Sequence, residues 1–184
     1  MEIKERKKEL RKKIKQIKSL YNLERKQFFS VPIFERLERV KSFKSSNCIL
    51  MYWSMDDEVF THDFINSWYK KKTILLPCVD GDNLLLRKYE GEQSMVKGEQ
   101  FCILEPKGEI FTDFEKIDLM IIPGVAFDSN RNRMGRGRGF YDRLLQTCSC
   151  EKIGVCFDFQ LINQVPTEEF DIPMDKVIST SATY

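Results

Sequence analysis

Apolar positions along the chain recur with two different periods, and each predicts a different kind of element. In the first twenty-one residues Ile3, Leu10, Ile14, Ile17 and Tyr21 recur at helical spacing, with Lys and Arg over the remaining surface, so an amphipathic first helix is predicted. Asn22 is placed to end it and to cap a second helical stretch reaching about Lys41. Ser30-Val31-Pro32 should restart or kink that stretch, because proline suits a helix's first turn and not its interior. From Asn47 onward the pattern becomes short apolar runs: CILMYW (48–53), TILLPCV (73–79), IDLMIIP (117–123), KIGVCF (152–157) and KVIST (176–180) read as buried strands. Thr61 can cap a helix carrying Phe64, Ile65, Trp68 and Tyr69. Asp80-Gly81-Asp82-Asn83 is a turn signal, and LLLRKY (84–89) completes a hairpin with 73–79. Residues 90–116 are polar and glycine-containing around a short FCILEP island (101–106), and FYDRLLQTC (140–148) returns to a helical pattern.

Strands alternating with helices predict an α/β fold, three layers deep, with a mainly parallel sheet, N-terminal helices and a β-hairpin insertion. In such sheets ligands sit beyond the carboxyl ends of the strands, and the loop after residue 123 falls there. At 184 residues and 42% hydrophobic, one domain spanning residues 1–184 is expected. No apolar run approaches the ~18 residues of a membrane helix. The opening MEIKERKKELRKK has no hydrophobic segment of the secretory type, so a soluble cytoplasmic protein is the expectation.

Net charge is +2, but its distribution is uneven. Residues 1–26 hold eleven Lys or Arg against four Glu, while the remainder is net acidic. Inside that acidic remainder Arg131, Arg133, Arg136, Arg138 and Arg143 fall within thirteen residues, opposed by Asp142 alone. Two basic segments on an acidic background suggest a focused anion site, although a solvated helix face also accounts for the first. Six cysteines at 48, 78, 102, 148, 150 and 156 stand mostly in apolar runs and read as small buried hydrophobes. Cys148-Ser149-Cys150 is too close-spaced for a zinc knuckle. His62 is the only histidine, which excludes multi-histidine metal sites and disfavours Ser-His-Asp or Cys-His catalysis.

The stretch PGVAFDSNRNRMGRGRGFYDRLL (123–145) carries the chemistry. Gly135, Gly137 and Gly139 alternate with Arg136 and Arg138. Glycine lets main-chain N–H groups approach an anion, and arginine supplies forked donors that match phosphate oxygens. A helix starting here would add its N-terminal dipole. The spacing is neither GxxxxGK[ST] nor G-x-G-x-x-G. Arg-Gly repeats also occur in disordered RNA-binding segments, and an ordinary polar loop is a further alternative. The flanking apolar runs argue against the first, and five mutually repelling arginines against the second.

PGVAFD…NRMGRGRGFYDRLL resembles the signature of the 5-formyltetrahydrofolate cyclo-ligases, or methenyltetrahydrofolate synthetases, and the similarity extends over nearly the whole chain. Lys7-Lys8-Glu9-Leu10-Arg11, Tyr52-Trp53-Ser54-Met55 with Glu58-Val59-Phe60-Thr61, Leu76-Pro77, Glu105-Pro106 and Pro166…Asp171…Asp175 fall in the family's order. The resemblance implies a magnesium- and ATP-dependent enzyme that cyclises 5-formyltetrahydrofolate to 5,10-methenyltetrahydrofolate with release of ADP and phosphate. Its partners would be small molecules, with no nucleic acid or membrane, and the chain would be a monomer. The resemblance further implies that Lys7, Arg11, Arg133, Met134, Gly135, Arg136, Gly137, Arg138, Gly139, Phe140 and Tyr141 bind ATP. Arg136 and Arg138 would act on the transferring phosphoryl group. Asp142 and Asp171 would hold the metal. Met55, Glu58, Phe60, Phe101, Arg136, Arg138 and Phe140 would contact folate.

The chain departs from the family pattern at Phe60, Phe140 and Phe170, where relatives carry polar side chains. It also departs at Asn132, which replaces a turn glycine and can take a left-handed torsion. A paralogue with another substrate, or a folate- or RNA-binding protein without turnover, would share the basic surfaces. Retention of both Asp142 and Asp171 favours an enzyme.

Overall fold

The computed structural model describes residues 2–98 and 103–184. Helices α1 (Ile3–Ser19), α2 (Leu23–Arg39) and α3 (Lys41–Ser45) precede strand β1 (Cys48–Leu50) and helix α4 (His62–Trp68). Strands β2 (Thr73–Asp80), β3 (Asn83–Lys88), β4 (Met95–Lys97), β5 (Leu104–Pro106), β6 (Ile110–Phe111), β7 (Leu119–Pro123), β8 (Ala126–Asp128) and β9 (Arg133–Met134) come next. Helix α5 (Phe140–Leu145) and strands β10 (Glu151–Val155), β11 (Leu161–Ile162) and β12 (Lys176–Ile178) complete the chain.

The central sheet has the order β12-β10-β7-β1-β2-β3-β6. β12, β10, β7, β1 and β2 are parallel, and β3 and β6 extend the edge antiparallel. The expected hairpin is the β2–β3 pair, and β4 with β5 forms a separate one. Strand order reverses between β1 and β7, so a crevice opens beyond their carboxyl ends, where open α/β sheets bind ligands.

Each strand residue feeds one of two cores by simple alternation. Ile49, Met51, Ile74, Leu76, Leu119, Ile121, Ile153, Val155 and Ile178 point to the face covered by Ile33, Phe34 and Leu37 of α2, Phe43 of α3 and Phe64 and Ile65 of α4. Leu50, Leu75, Met120, Ile122 and Val177 point to the other, covered by Leu144 and Leu145 of α5 and by Phe127. Helices on both faces give the three layers that the run of apolar strands predicts. A Cβ at Gly154 would stand 2.4 Å from the Phe127 ring, so this strand position must stay bare for the second core to close.

Four local expectations need correction. CILMYW is strand only to Leu50; Met51 still donates its N–H to Leu75 O at 2.9 Å and packs in the core, and from Tyr52 the chain turns to line the crevice. Helix α2 runs unbroken through Pro32, although Asn22 caps it as expected by accepting from the Arg25 N–H at 2.9 Å. The proline is tolerated because Phe28, whose carbonyl loses its partner, lies on the solvent side. Thr61 precedes α4 but its hydroxyl does not cap it; it donates instead to Tyr52 O at 2.7 Å and accepts from Ser54 N–H at 3.1 Å. The left-handed residue of the 128–132 turn is Arg131, at φ 66°, and not Asn132.

Helix α1 covers neither face of the central sheet. Ile14, with Leu10 and Ile17, packs on Val125, Ala126, Met134 and Val165 around the small sheet β11-β8-β9. Ile3 is exposed. Of the positions spaced by four, three and four residues on its inward face, Ile14 is apolar while Lys7, Arg11 and Lys18 are cationic; Lys7 and Lys18 are buried. The helix is therefore a cationic rod laid beside the crevice. No helix among the described residues is long and apolar enough to cross a membrane.

Candidate active site

A cavity of about 410 Å³ lies at the switch point. Its floor is the chain leaving β1 and β7, at Tyr52, Trp53, Pro123 and Gly124. Pro77 and Val79 of β2 and Leu104 and Glu105 of β5 form one wall, with Glu105 fixed by accepting from Val79 N–H at 2.9 Å. Arg133 and residues 135–142 form the opposite wall. The Gly/Arg loop thus occupies the place its sequence position predicts.

That loop is held open by its own side chains. Arg133, buried, donates to Asp142 Oδ1 at 2.5 Å and to Pro123 O at 3.2 Å, tying the start of α5 to the end of β7. Its buried Nε makes no hydrogen bond among the described residues. Arg11 reaches across from α1 to donate to Gly135 O at 2.9 Å. A Cβ at Gly137, where φ is 99°, would meet the Arg11 guanidinium at 3.2 Å, so this glycine serves both torsion and proximity. Helix α5 has only six residues, so the arginines and loop N–H groups, more than a helix dipole, supply the positive field. Buried Asp128 supports the loop from below. It accepts from Asn130 N–H, Asn132 N–H, Asn132 Nδ2 and Val165 N–H, all within 3.0 Å.

The facing segment after β1 carries the negative charge. Glu58 is folded back to accept from Met55 N–H at 3.0 Å, and its Oε1 receives Arg136 Nε at 3.3 Å and NH2 at 3.1 Å. Arg136 NH2 also meets Asp57 Oδ1 at 2.5 Å, while Asp57 Oδ2 takes Lys18 Nζ at 3.4 Å. Burial pushes the Glu58 carboxyl above its usual range, against the pull of Arg136. Burial acts the same way on Asp57, but Lys18 and Arg136 together outweigh it and hold that carboxyl low. At the far end of α1, Lys7 Nζ bonds Asp171 at 2.7 Å and Glu168 at 2.8 Å. Burial alone would lower its pKa, yet the two carboxylates raise it.

The structure thus brings Met55, Glu58, Arg133, Gly135, Arg136, Gly137, Arg138, Gly139, Phe140, Tyr141 and Asp142 around one cavity. Met134 lies beneath in the α1 core. Phe60 is outside the wall, its N–H bonded to Ser30 Oγ and its ring 4.5 Å from that of His62. Phe101 lies outside the described residues. Phe170 is exposed, 5.9 Å from Lys7 Nζ. Asp142 is paired with Arg133 and Asp171 with Lys7, and both carboxylates act electrostatically on the Arg11 guanidinium. No group of three or more His, Cys, Asp or Glu among the described residues could hold a metal. Asp57, Lys18, Asp128 and Glu168 are polar residues of this constellation without a role in the sequence reading. For Asp128 the one local signal to be found is the turn-forming sequence Asp128-Ser129-Asn130, which the sequence reading did not use.

A profile described as the 5-formyltetrahydrofolate cyclo-ligase family matches residues 3–180. The 5-formyltetrahydrofolate cyclo-ligase of Haemophilus influenzae is 34% identical over 139 residues, covering 71% of this chain and 74% of that protein. The enzyme of the same name from Escherichia coli K12 is 32% identical over 148 residues, covering 76% and 81%. The solved structure of Aquifex aeolicus 5,10-methenyltetrahydrofolate synthetase superposes with a TM-score of 0.86 at 31% identity, covering 96% of this chain and 91% of that one.

Proposed function

The chain belongs to the 5-formyltetrahydrofolate cyclo-ligase family, and from that premise we propose that the switch-point cavity binds ATP and 5-formyltetrahydrofolate and closes the folate to 5,10-methenyltetrahydrofolate. The observation that supports this most is the Gly/Arg loop forming one wall of a cavity that Met55 and Glu58 also line. The formyl oxygen attacks the γ-phosphorus of ATP, and the bond to ADP breaks with ADP taking the electron pair. The folate N10 amine then attacks the activated carbon. Its proton is lost and the carbon–oxygen bond breaks, releasing inorganic phosphate and leaving the methenyl bridge.

Such a reaction asks the protein for positioning and charge stabilisation more than for a general base. Arg136 and Arg138 would meet the transferring phosphoryl group, with Lys7 and Arg11 on the nucleotide side. Arg133, already committed to Asp142 and Pro123, holds the loop in shape. Met55, Glu58 and Phe140 would contact folate. The carboxylates fit magnesium only as MgATP binds it, through phosphates, water and one or two carboxylates, of which Asp142 lines the cavity. When bound, the ion would neutralise phosphate charge. We place the activity in the cytoplasm and in one domain over residues 1–184.

The test is to mix protein, magnesium, ATP and 5-formyltetrahydrofolate and follow absorbance of the methenyl product. Growth of that band only with ATP present supports the reading, and no band at any enzyme concentration refutes it.

A further inference from the structure

Lys18 is an anomaly on α1. Lys4, Lys8, Lys12, Lys13 and Lys15 of the same helix are exposed, as a solvated basic face should be, whereas Lys18 is 4% exposed. A buried ammonium must be paired to be tolerated. Its partner is Asp57, whose two oxygens are shared: Oδ2 faces Lys18 at 3.4 Å and Oδ1 faces Arg136 at 2.5 Å. Glu58 grips the same guanidinium through Nε and NH2. Arg136 is therefore held along one edge by two adjacent carboxylates. Its NH1 makes no hydrogen bond among the described residues and remains available to a ligand in the cavity.

Glu58 alone would leave this half-exposed guanidinium free to pivot about one oxygen. A second contact from Asp57 removes that freedom only if Asp57 is itself fixed, and Asp57 is half-exposed on a loop. Lys18, locked in the last turn of a helix, supplies the fixed point. We propose that Lys18 and Asp57 are positioning residues that act in series to fix the Arg136 guanidinium for phosphoryl transfer. The proposal rests on the assignment of Arg136 to the transferring phosphoryl group. It adds that α1 orients the catalytic loop through its C-terminal end, separately from the phosphate-side cations Lys7 and Arg11.

The test is a double-mutant cycle on turnover, run on the full chain with ATP and 5-formyltetrahydrofolate. Asp57→Asn should lower kcat by ~10- to 100-fold, the cost of a misplaced catalytic group, with KM for ATP changed far less. Lys18→Met should act in the same direction and stay folded at the assay temperature, since half-exposed Asp57 keeps Arg136 as a counter-ion. Lys18→Arg should recover most of what Lys18→Met loses. In an Arg136→Lys background, Asp57→Asn should change kcat by less than about twofold, because the group it positions is gone. Equal losses in both backgrounds would overturn the proposal. So would a rise in kcat for Asp57→Asn, which would mark Asp57 as a competitor that phosphate must displace. If Arg136→Lys is itself silent on kcat, the assignment of Arg136 falls, and that outcome is distinct from additivity.

Discussion

The role proposed for Arg136 and Arg138 asks for forked geometry more than charge. Lysine at either position keeps the charge and loses the planar pair of donors. Arg136→Lys and Arg138→Lys should each lower kcat by ~10- to 1000-fold, the range for losing one preorganised donor, while ATP affinity falls much less. Steady-state kinetics beside calorimetric ATP titration separates the two. Weakened binding with intact turnover would make the loop a docking site. Glu58 gives a pH prediction at the same scale. Its carboxyl lies above the ordinary 4.5 because it is buried, with Arg136 pulling the other way. Its protonated form therefore favours the folded state at low pH, and that contribution is lost as pH rises through the raised value. Only the ionised form holds Arg136. The acid limb of the rate profile should accordingly lie above the ordinary carboxylate range, and Glu58→Gln should flatten it at a lower plateau. Asp57, held low by Lys18 and Arg136, stays charged through that window.

At the scale of elements, α1 is attached by ions at its ends and by a small apolar patch in its middle. Lys7 neutralises Asp171 and Glu168, which approach one another within the 168–171 turn, where Asp171 Oδ2 also accepts from Glu168 N–H at 2.8 Å. Lys7→Met should leave two carboxylates facing each other. Amide hydrogen exchange over residues 166–172 should then speed up, and KM for ATP should rise more than KM for folate. Unchanged exchange would mean that the turn holds itself. In α2, Pro32 removes one backbone bond from a helix that continues around it. Pro32→Ala should raise stability by about 1–3 kcal/mol in denaturant titration, with activity untouched because the site lies on other elements.

At the scale of the molecule, the sheet order places the crevice between β1 and β7, and every wall of the cavity is a segment leaving or flanking that edge. A ligand bound there bridges the Gly/Arg loop, the segment after β1 and, through Arg11, helix α1. ATP with magnesium at ~100 times its Kd should therefore stabilise the whole fold by roughly 2.7 kcal/mol. The same addition to Lys7→Met should give a smaller shift in Tm. Equal shifts would place the nucleotide away from α1.

The parallel strands of the central sheet, the hairpin at Gly81 and the position of the Gly/Arg loop were legible in the sequence, because apolar runs, turn residues and glycine torsions are local properties; the short strands of the small sheets were not. The family signature around residues 123–145 added the chemistry. What the sequence could not show is which cation meets which carboxylate. Lys18 and Asp57 are 39 residues apart, and Lys7 and Asp171 are 164 apart. Among α1's many lysines nothing local marks those that turn inward. The stripe Ile3, Leu10, Ile14, Ile17 and Tyr21 likewise concealed that this helix packs on a small side sheet and shows charge to the site. Burial is decided by the sheet that brings distant segments together, and a side chain's partner, and with it its ionisation, is fixed only then. The sequence determined that there would be an α/β sheet with an arginine-rich loop at its carboxyl edge. The tertiary structure decided that Asp57 and Glu58 face that loop and that Lys18 reaches it from behind.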